Sequence, residues 1–268
     1  MSQGLSSRTI SLNEQGRHFT DDSKDSERVL SSCLPTIRES ITGFLREQFQ
    51  GKAELIERKR ISIYDLMMIQ HKVFSDLPVP DDEKRRKFIT PDGGIWFLRF
   101  NDIEYPIMII EDKKQGTNDS RFQRGDSKQS LGNAIERFAK NVRVSEMLFQ
   151  GQDIFPYVMF ASGCDFHPSE TISERISSGN YGFPNNEFTI SRETTDEDIS
   201  NRVSSVLETV DITKKRGLAV LQCFTKSHKW NEMNHRASDW KADEIIKICS
   251  HIARQSILYY VHKINAST

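Results

Sequence analysis

The sequence has no long apolar run, no excess of one charge sign and few cysteines. Its 268 residues carry 37 Lys and Arg against 38 Asp and Glu, for a net charge of −1. No stretch approaches the ~20 apolar residues that a membrane span needs. Met1 to Ser26 also lacks the apolar segment of a secretory signal. We therefore expect a cytoplasmic protein without a membrane anchor.

The metal-binding residues that zinc prefers are also poorly arranged. The 4 cysteines form no Cys-x-x-Cys pair, and the histidines show no spacing typical of metal ligands, so a zinc site is not expected. The balanced charge argues mildly against a protein that coats nucleic acid without preference, because such proteins usually carry a basic excess. An enzyme specific for one DNA site can still concentrate positive charge on one face.

One segment has the pattern of a β-hairpin. The apolar stretches 95–100 and 105–110 are rich in β-branched and aromatic residues and flank a polar turn, Asn101-Asp102. The second stretch ends in Ile107-Met108-Ile109-Ile110 and leads directly into charged residues. A buried strand is not expected to end in three charged residues unless these residues are functional or exposed to solvent.

The charged residues lie where both strands of this hairpin end. Asp92 precedes the first strand, and Glu111-Asp112-Lys113 follows the second. Because side chains alternate along a strand, Glu111 and Lys113 should share a face and the Asp112 side chain should point to the other. Asp92 can then lie across from Glu111. Two carboxylates with oxygen ligation suit Mg²⁺, so this PD-(D/E)xK pattern predicts a site that cleaves phosphodiester bonds. A turn aspartate beside a solvated charge pair is the ordinary alternative.

Helical and strand patterns alternate along the rest of the chain. The polar residues 1–26 predict a flexible arm, and 27–268 are expected to form one domain. Apolar spacing predicts a helix from Pro35 to Phe49 and another that begins near Ser62. The further predicted elements are helices near 133–149, 195–210 and 239–262 and strands at 155–160 and 218–224. This order indicates an α/β fold with a mixed sheet between helices.

A second polar group opens the helix predicted at 133–149. Asn133 can pair with adenine, Glu136 can accept from exocyclic amino groups, and Arg137 can donate to a purine edge. Gly132 and Ala134 permit the close backbone approach that a DNA groove demands. A capped helix whose first-turn charges face water is the ordinary alternative, and this segment alone favours it.

Several blocks of sequence together resemble the EcoRI family of type II restriction endonucleases. In chain order the blocks are 91–95, 111–116, 132–137, 155–158 and 180–184. The resemblance implies a restriction-endonuclease-like α/β fold, with a mixed five-stranded central sheet and helices on both faces. It also implies a Mg²⁺-dependent homodimer that cuts double-stranded DNA at a palindrome with central AATT, leaving 5′ overhangs and 5′-phosphates. A cognate adenine-specific DNA methyltransferase would protect the same site.

The resemblance assigns roles to the residues of the hairpin. Asp92 and Glu111 correspond to metal-binding carboxylates, the Asp112 carbonyl to a further metal ligand, and Lys113 to the residue that orients or activates water. The implied DNA-binding residues include Asn133, Glu136 and Arg137 for the inner A·T pairs and Arg175 for the outer G·C pair. Ala134 is also an implied DNA-binding residue.

The chain departs from the family pattern at two places. Ile172 stands where the family has a second arginine, and Gln129-Ser130-Leu131 replaces Met-Ala-Ala before Gly132. Each base contact contributes ~1–3 kcal/mol of discrimination. Central AATT is therefore a firmer expectation than the complete GAATTC.

Two other functions remain open from the residues alone. A repair or recombination nuclease with the same catalytic core would recognise DNA structure and cut without a defined sequence. A non-catalytic DNA-binding protein, in which the acidic cluster is structural, would bind duplex DNA without cutting it.

Overall fold

The structure is a computed structural model that describes residues 19–78, 86–114, 141–142, 144–162, 193–194, 219–222, 224–225, 236–237 and 240–266. The helices with described bounds are α1 (Phe19–Gln48), α2 (Ile63–Val73) and α3 (Ala242–Ala266). The longer strands are β1 (Ala53–Arg58), β4 (Gly94–Phe100), β5 (Ile103–Lys114), β6 (Tyr157–Ser162) and β8 (Ala219–Gln222). The two-residue strands are β2 (Ile61–Ser62), β3 (Phe88–Ile89), β7 (Glu193–Thr194), β9 (Phe224–Thr225) and β10 (Arg236–Ala237).

The main sheet has the strand order β1-β4-β5-β6-β8. β1, β4 and β5 pair antiparallel, whereas β5, β6 and β8 pair parallel. The predicted mixed α/β class is therefore confirmed. Two smaller sheets have the orders β10-β9-β7 and β2-β3.

The predicted hairpin is formed by β4 and β5. Asn101 and Asp102 both have positive φ, 50° and 61°, as the two central residues of a type I′ turn require. Asn and Asp tolerate this region better than other side chains. The register shifts between Trp96 and Phe97, which marks a β-bulge within the hairpin.

Each of the central strands is buried on both faces. Trp96, Met108 and Ile110 pack into a core with α1 and α3, whereas Ile95, Phe97 and their neighbours pack into a second core. That second core includes Leu66 of α2 and Leu148 and Phe149 of the 3₁₀ turn Met147–Phe149. The alternation along each strand explains why these strands are almost wholly apolar in sequence.

The first helix differs from its prediction. It begins at Phe19 rather than at Pro35, and Pro35 lies inside it. An interior proline loses one backbone hydrogen bond and costs about 3 kcal/mol, which is why the sequence suggests a helix start there. Burial of an apolar stripe on both sides of the proline, including Leu30, Ile37 and Ile41, offsets that cost. Residues 19–26, placed in the predicted arm, are helical, and residues 1–18 lie outside the described part of the chain.

The second and last helices agree with prediction more closely. The Ser62 hydroxyl accepts from the Asp65 amide at the start of α2 and donates to the Asp65 carboxylate, which confirms the predicted cap. The helix predicted at 239–262 is observed as α3. Residues 141–142 and 144–146 are helical, and the predicted helix ends in the 3₁₀ turn Met147–Phe149. Residues 133–140, residue 143 and the whole of 195–210 lie outside the described residues.

None of the helices in the described part of the chain is long and apolar enough to cross a membrane.

Candidate active site

The turn before β4 fixes Asp92 beside the end of β5. The Gly93 amide donates to the Ile110 carbonyl at 3.0 Å, and the Gly94 amide donates to the Pro91 carbonyl at 3.0 Å. A Cβ at Gly93 would lie 2.6 Å from the Ile110 Cβ, so only glycine allows this approach. Gly94 has a φ of +81°, which L-residues with side chains rarely adopt. The glycines therefore hold Asp92 against the strand that carries Glu111.

Three oxygens surround the Lys113 ammonium. Lys113 Nζ lies 2.7 Å from Glu111 Oε1, 2.9 Å from Asp92 Oδ2 and 3.0 Å from the Asp112 carbonyl oxygen. Asp92 Oδ2 also accepts from the Asp112 amide at 3.1 Å. The predicted convergence of the Asp92 and Glu111 carboxylates with Lys113 on one face is thus confirmed.

Glu111 is a buried carboxylate, only 3% exposed. Its Oε1 also accepts a hydrogen bond from Asn141 Nδ2 at 3.1 Å. Burial raises the pKa of Glu111, and the opposing contacts from Lys113 and Asn141 do not fully offset it. Burial alone would lower the pKa of Lys113, but Glu111 and Asp92 outweigh that effect and raise it. Since isolated buried charges are costly, each charged group here depends on its neighbours.

The Asp112 carboxylate points to the opposite face of β5, as predicted from strand alternation. It is 7% exposed, faces α1 and accepts a hydrogen bond from the Ser26 hydroxyl. Burial raises the pKa of Asp112 from 3.8 to about 6, although the Ser26 hydrogen bond acts in the other direction. This side chain therefore links α1 to the strand end that carries the site.

Asp112→Asn should stabilise the metal-free protein at pH 7.5 by about 1–3 kcal/mol. Because the pKa of Asp112 is higher in the folded chain, this group stabilises the fold fully below about pH 4 and loses that contribution as the pH rises through about 6. Asparagine stays neutral and can still accept from Ser26. Urea unfolding in EDTA at several pH values measures the effect.

Asp76→Asn, at an exposed position, is the control for removing one negative charge. If Asp112→Asn changes the free energy of unfolding equally at pH 4 and pH 7.5, or lowers it at pH 7.5, then burial of the Asp112 charge does not destabilise the fold.

Comparison with known proteins identifies the family. The protein-family sequence model described as "Restriction endonuclease EcoRI" matches residues 19–267. The chain belongs to the EcoRI restriction endonuclease family. It is also similar to the "Type II restriction enzyme EcoRI" of Escherichia coli, with 30% identity over 128 residues, 37% of this chain and 46% of that protein. The match thus covers less than half the length of that relative.

The donor set at the site fits a divalent cation in an EcoRI-family protein. No group of three His, Cys, Asp or Glu side chains that could hold a metal occurs within the described ranges. However, two carboxylate oxygens and one carbonyl oxygen already lie around a single cationic group, Lys113 Nζ. Oxygen-only donors with room for water are what Mg²⁺ prefers.

The residues that the EcoRI resemblance assigns to DNA recognition are outside the part of the chain that the structure describes. They are Asn133, Ala134, Glu136, Arg137 and Arg175. Their roles stay predictions.

The structure adds two polar residues that sequence reasoning missed, Asn141 and Ser26. Asn141 donates to Glu111, and Ser26 donates to Asp112. Asn141 lies in the helix predicted at 133–149, and only the apolar positions of that segment indicate how it packs. An asparagine on a helix is ordinarily solvated, so its sequence context does not suggest a role in the site. Ser26 lies in the segment predicted to be a flexible arm, because few apolar residues surround it in sequence. Neither residue has a sequence signal that separates it from surface polar residues.

Proposed function

We propose that this protein is a Mg²⁺-dependent type II restriction endonuclease. It would hydrolyse both strands of double-stranded DNA at a palindrome with central AATT, GAATTC or a close variant, leaving 5′ overhangs and 5′-phosphates. The observation that carries the proposal is the convergence of Asp92, Glu111 and Lys113 in a chain of the EcoRI family. The mixed sheet, with helices packed against both faces, fits a restriction-endonuclease-like fold.

The described residues suit metal-assisted hydrolysis. Asp92, Glu111 and the Asp112 carbonyl would hold Mg²⁺, which when bound neutralises developing charge and lowers the pKa of a coordinated water. Lys113 would orient or activate the attacking water and place positive charge beside the phosphorus, where charge develops in the transition state. The Asn141 amide holds the Glu111 carboxylate in position. The products would carry a 3′-hydroxyl and a 5′-phosphate.

The resemblance to the EcoRI family supports the proposed DNA recognition and dimer assembly. Asn133, Glu136 and Arg137 would contact the inner A·T pairs, and Arg175 the outer G·C pair. Ala134 would allow the backbone to approach the DNA closely. A homodimer would match the two-fold symmetry of the palindrome. In the cytoplasm, a cognate adenine-specific methyltransferase would protect the host's own sites without needing to contact this protein.

Digestion of a plasmid of known sequence separates the three possible functions. Discrete fragments in Mg²⁺, with none in EDTA, support a restriction endonuclease. A smear, or nicking without defined fragments, indicates a nuclease guided by DNA structure. A gel shift of duplex DNA in Ca²⁺ without any cut in Mg²⁺ indicates a DNA-binding protein that does not catalyse.

Arg137→Ala should lose discrimination between AATT and altered sites as well as affinity. If Arg137 donates to a purine edge, removing that contact costs about 1–3 kcal/mol of discrimination. Binding to matched and single-substituted duplexes in Ca²⁺ measures the loss. Arg38→Ala is a matched control, because Arg38 is paired with Glu57 on an exposed surface. Unchanged discrimination in Arg137→Ala would refute the recognition role.

A further inference from the structure

The Lys113 ammonium contacts the same three oxygens that are proposed to bind the metal. An ammonium has three N–H donors and no acceptor. Those of Lys113 face Asp92 Oδ2, Glu111 Oε1 and the Asp112 carbonyl at 2.9, 2.7 and 3.0 Å. This cation therefore lies at the centre of the oxygen set.

We propose that the Lys113 ammonium and a divalent cation compete for these three oxygens, so that the lysine is the resident cation of the DNA-free protein and metal binding displaces it. The inference rests on the proposed function in its choice of metal ligands and of DNA as the later partner. It goes beyond that function because Lys113 would lower the affinity of the DNA-free protein for the metal.

Simultaneous occupancy is disfavoured by both space and charge. Mg²⁺ requires oxygens at about 2.0–2.1 Å in near-octahedral geometry, so the three oxygens would close around the position that Nζ now holds. Two cations within a few ångströms of each other in a partly buried site also repel strongly. One of them must leave.

The Lys113 side chain can move out of the oxygen set toward solvent. This side chain is 32% exposed, compared with 4% for the side chain of Glu111, and its four-carbon stem is flexible. Swinging toward solvent moves the ammonium to the open side of the site, where a DNA phosphate would lie. A phosphate replaces the carboxylate partners that the lysine loses, so DNA and metal should each strengthen the binding of the other.

Mn²⁺ binding to the DNA-free protein, measured by calorimetry and by electron paramagnetic resonance, tests the competition. Lys113→Met keeps the side-chain length and removes the donors. We expect it to bind Mn²⁺ about tenfold more tightly than the parent, which corresponds to about 1.4 kcal/mol. Lys52→Met, at an exposed position, removes one positive charge elsewhere and should leave the affinity unchanged. Thermal unfolding checks that each variant is folded.

A crystal soaked in Mn²⁺ supplies the deciding observation, since the loss of simple charge repulsion would also tighten binding in Lys113→Met. An anomalous peak among the three oxygens, with Nζ moved away from them, supports displacement. A peak there with Nζ still in contact with all three oxygens overturns it. So does equal Mn²⁺ affinity in parent and Lys113→Met, or no Mn²⁺ binding in either.

The two proposals can fail separately. Mn²⁺ displacement of Lys113 in a protein that leaves plasmid DNA uncut would refute the proposed nuclease and keep this inference. If the protein cuts DNA at a specific site but its Lys113→Met variant binds Mn²⁺ no more tightly than the parent, the proposed nuclease is kept and this inference is refuted.

Discussion

Glu111→Gln should reduce DNA cleavage on the order of a thousandfold or more while the protein stays folded and still binds DNA. Glutamine preserves the size of this buried side chain, and its carbonyl oxygen can accept from Asn141 as Glu111 does. It lacks the negative charge that balances Lys113 and that the proposed divalent cation would require. Single-turnover cleavage of an AATT-containing duplex in Mg²⁺ measures the loss, and gel shifts in Ca²⁺ measure binding.

Glu54→Gln is the matched control for that experiment. Glu54 lies on β1 with its side chain 69% exposed, and it contacts Arg99 near the turn end of the hairpin. It should cleave at the parental rate. Cleavage by Glu111→Gln at near the parental rate would show that this carboxylate has no part in catalysis.

Gly93→Ala should destabilise the fold by about 1–3 kcal/mol and slow cleavage about a hundredfold, the effect of a catalytic group displaced by about 1 Å. The added Cβ would lie 2.6 Å from Ile110 Cβ and 2.7 Å from Ile110 Cγ2. Ile110 is fully buried in the core, so the turn that carries Asp92 must move instead. Urea unfolding and single-turnover cleavage measure the two effects.

Gly43→Ala separates this steric effect from the general effect of replacing glycine. Gly43 lies within α1, and nothing is found within 4 Å of an added Cβ. Alanine in a helix interior should stabilise the protein by roughly 0.5–1 kcal/mol. Parental stability and activity in Gly93→Ala would mean that the close approach of the turn to Ile110 does not position Asp92.

The hairpin and its charged ends were predictable because their information is local. Alternation along a strand fixes which face Glu111 and Lys113 share, and Asn101-Asp102 specifies the turn between the strands. Ser62 likewise caps α2 through a residue three positions away. Such features need only neighbours in sequence, and the structure reproduces them.

The rest depends on contacts between distant residues. The start of α1 at Phe19 opposes the local preference of Pro35, and the helix is held by burial against strands far along the chain. Ser26 reaches Asp112 across 86 positions, and Asn141 reaches Glu111 across 30. Hydrogen bonds of this kind arise from packing, which no local pattern encodes.

Sequencing the ends of plasmid fragments produced in Mg²⁺ tests the central claim most directly, with Glu111→Gln digested in parallel. We expect every end to map to a palindrome with central AATT and to carry a 5′ overhang, and we expect Glu111→Gln to yield no such ends. Ends scattered without a common sequence, or the same ends from Glu111→Gln, would contradict it.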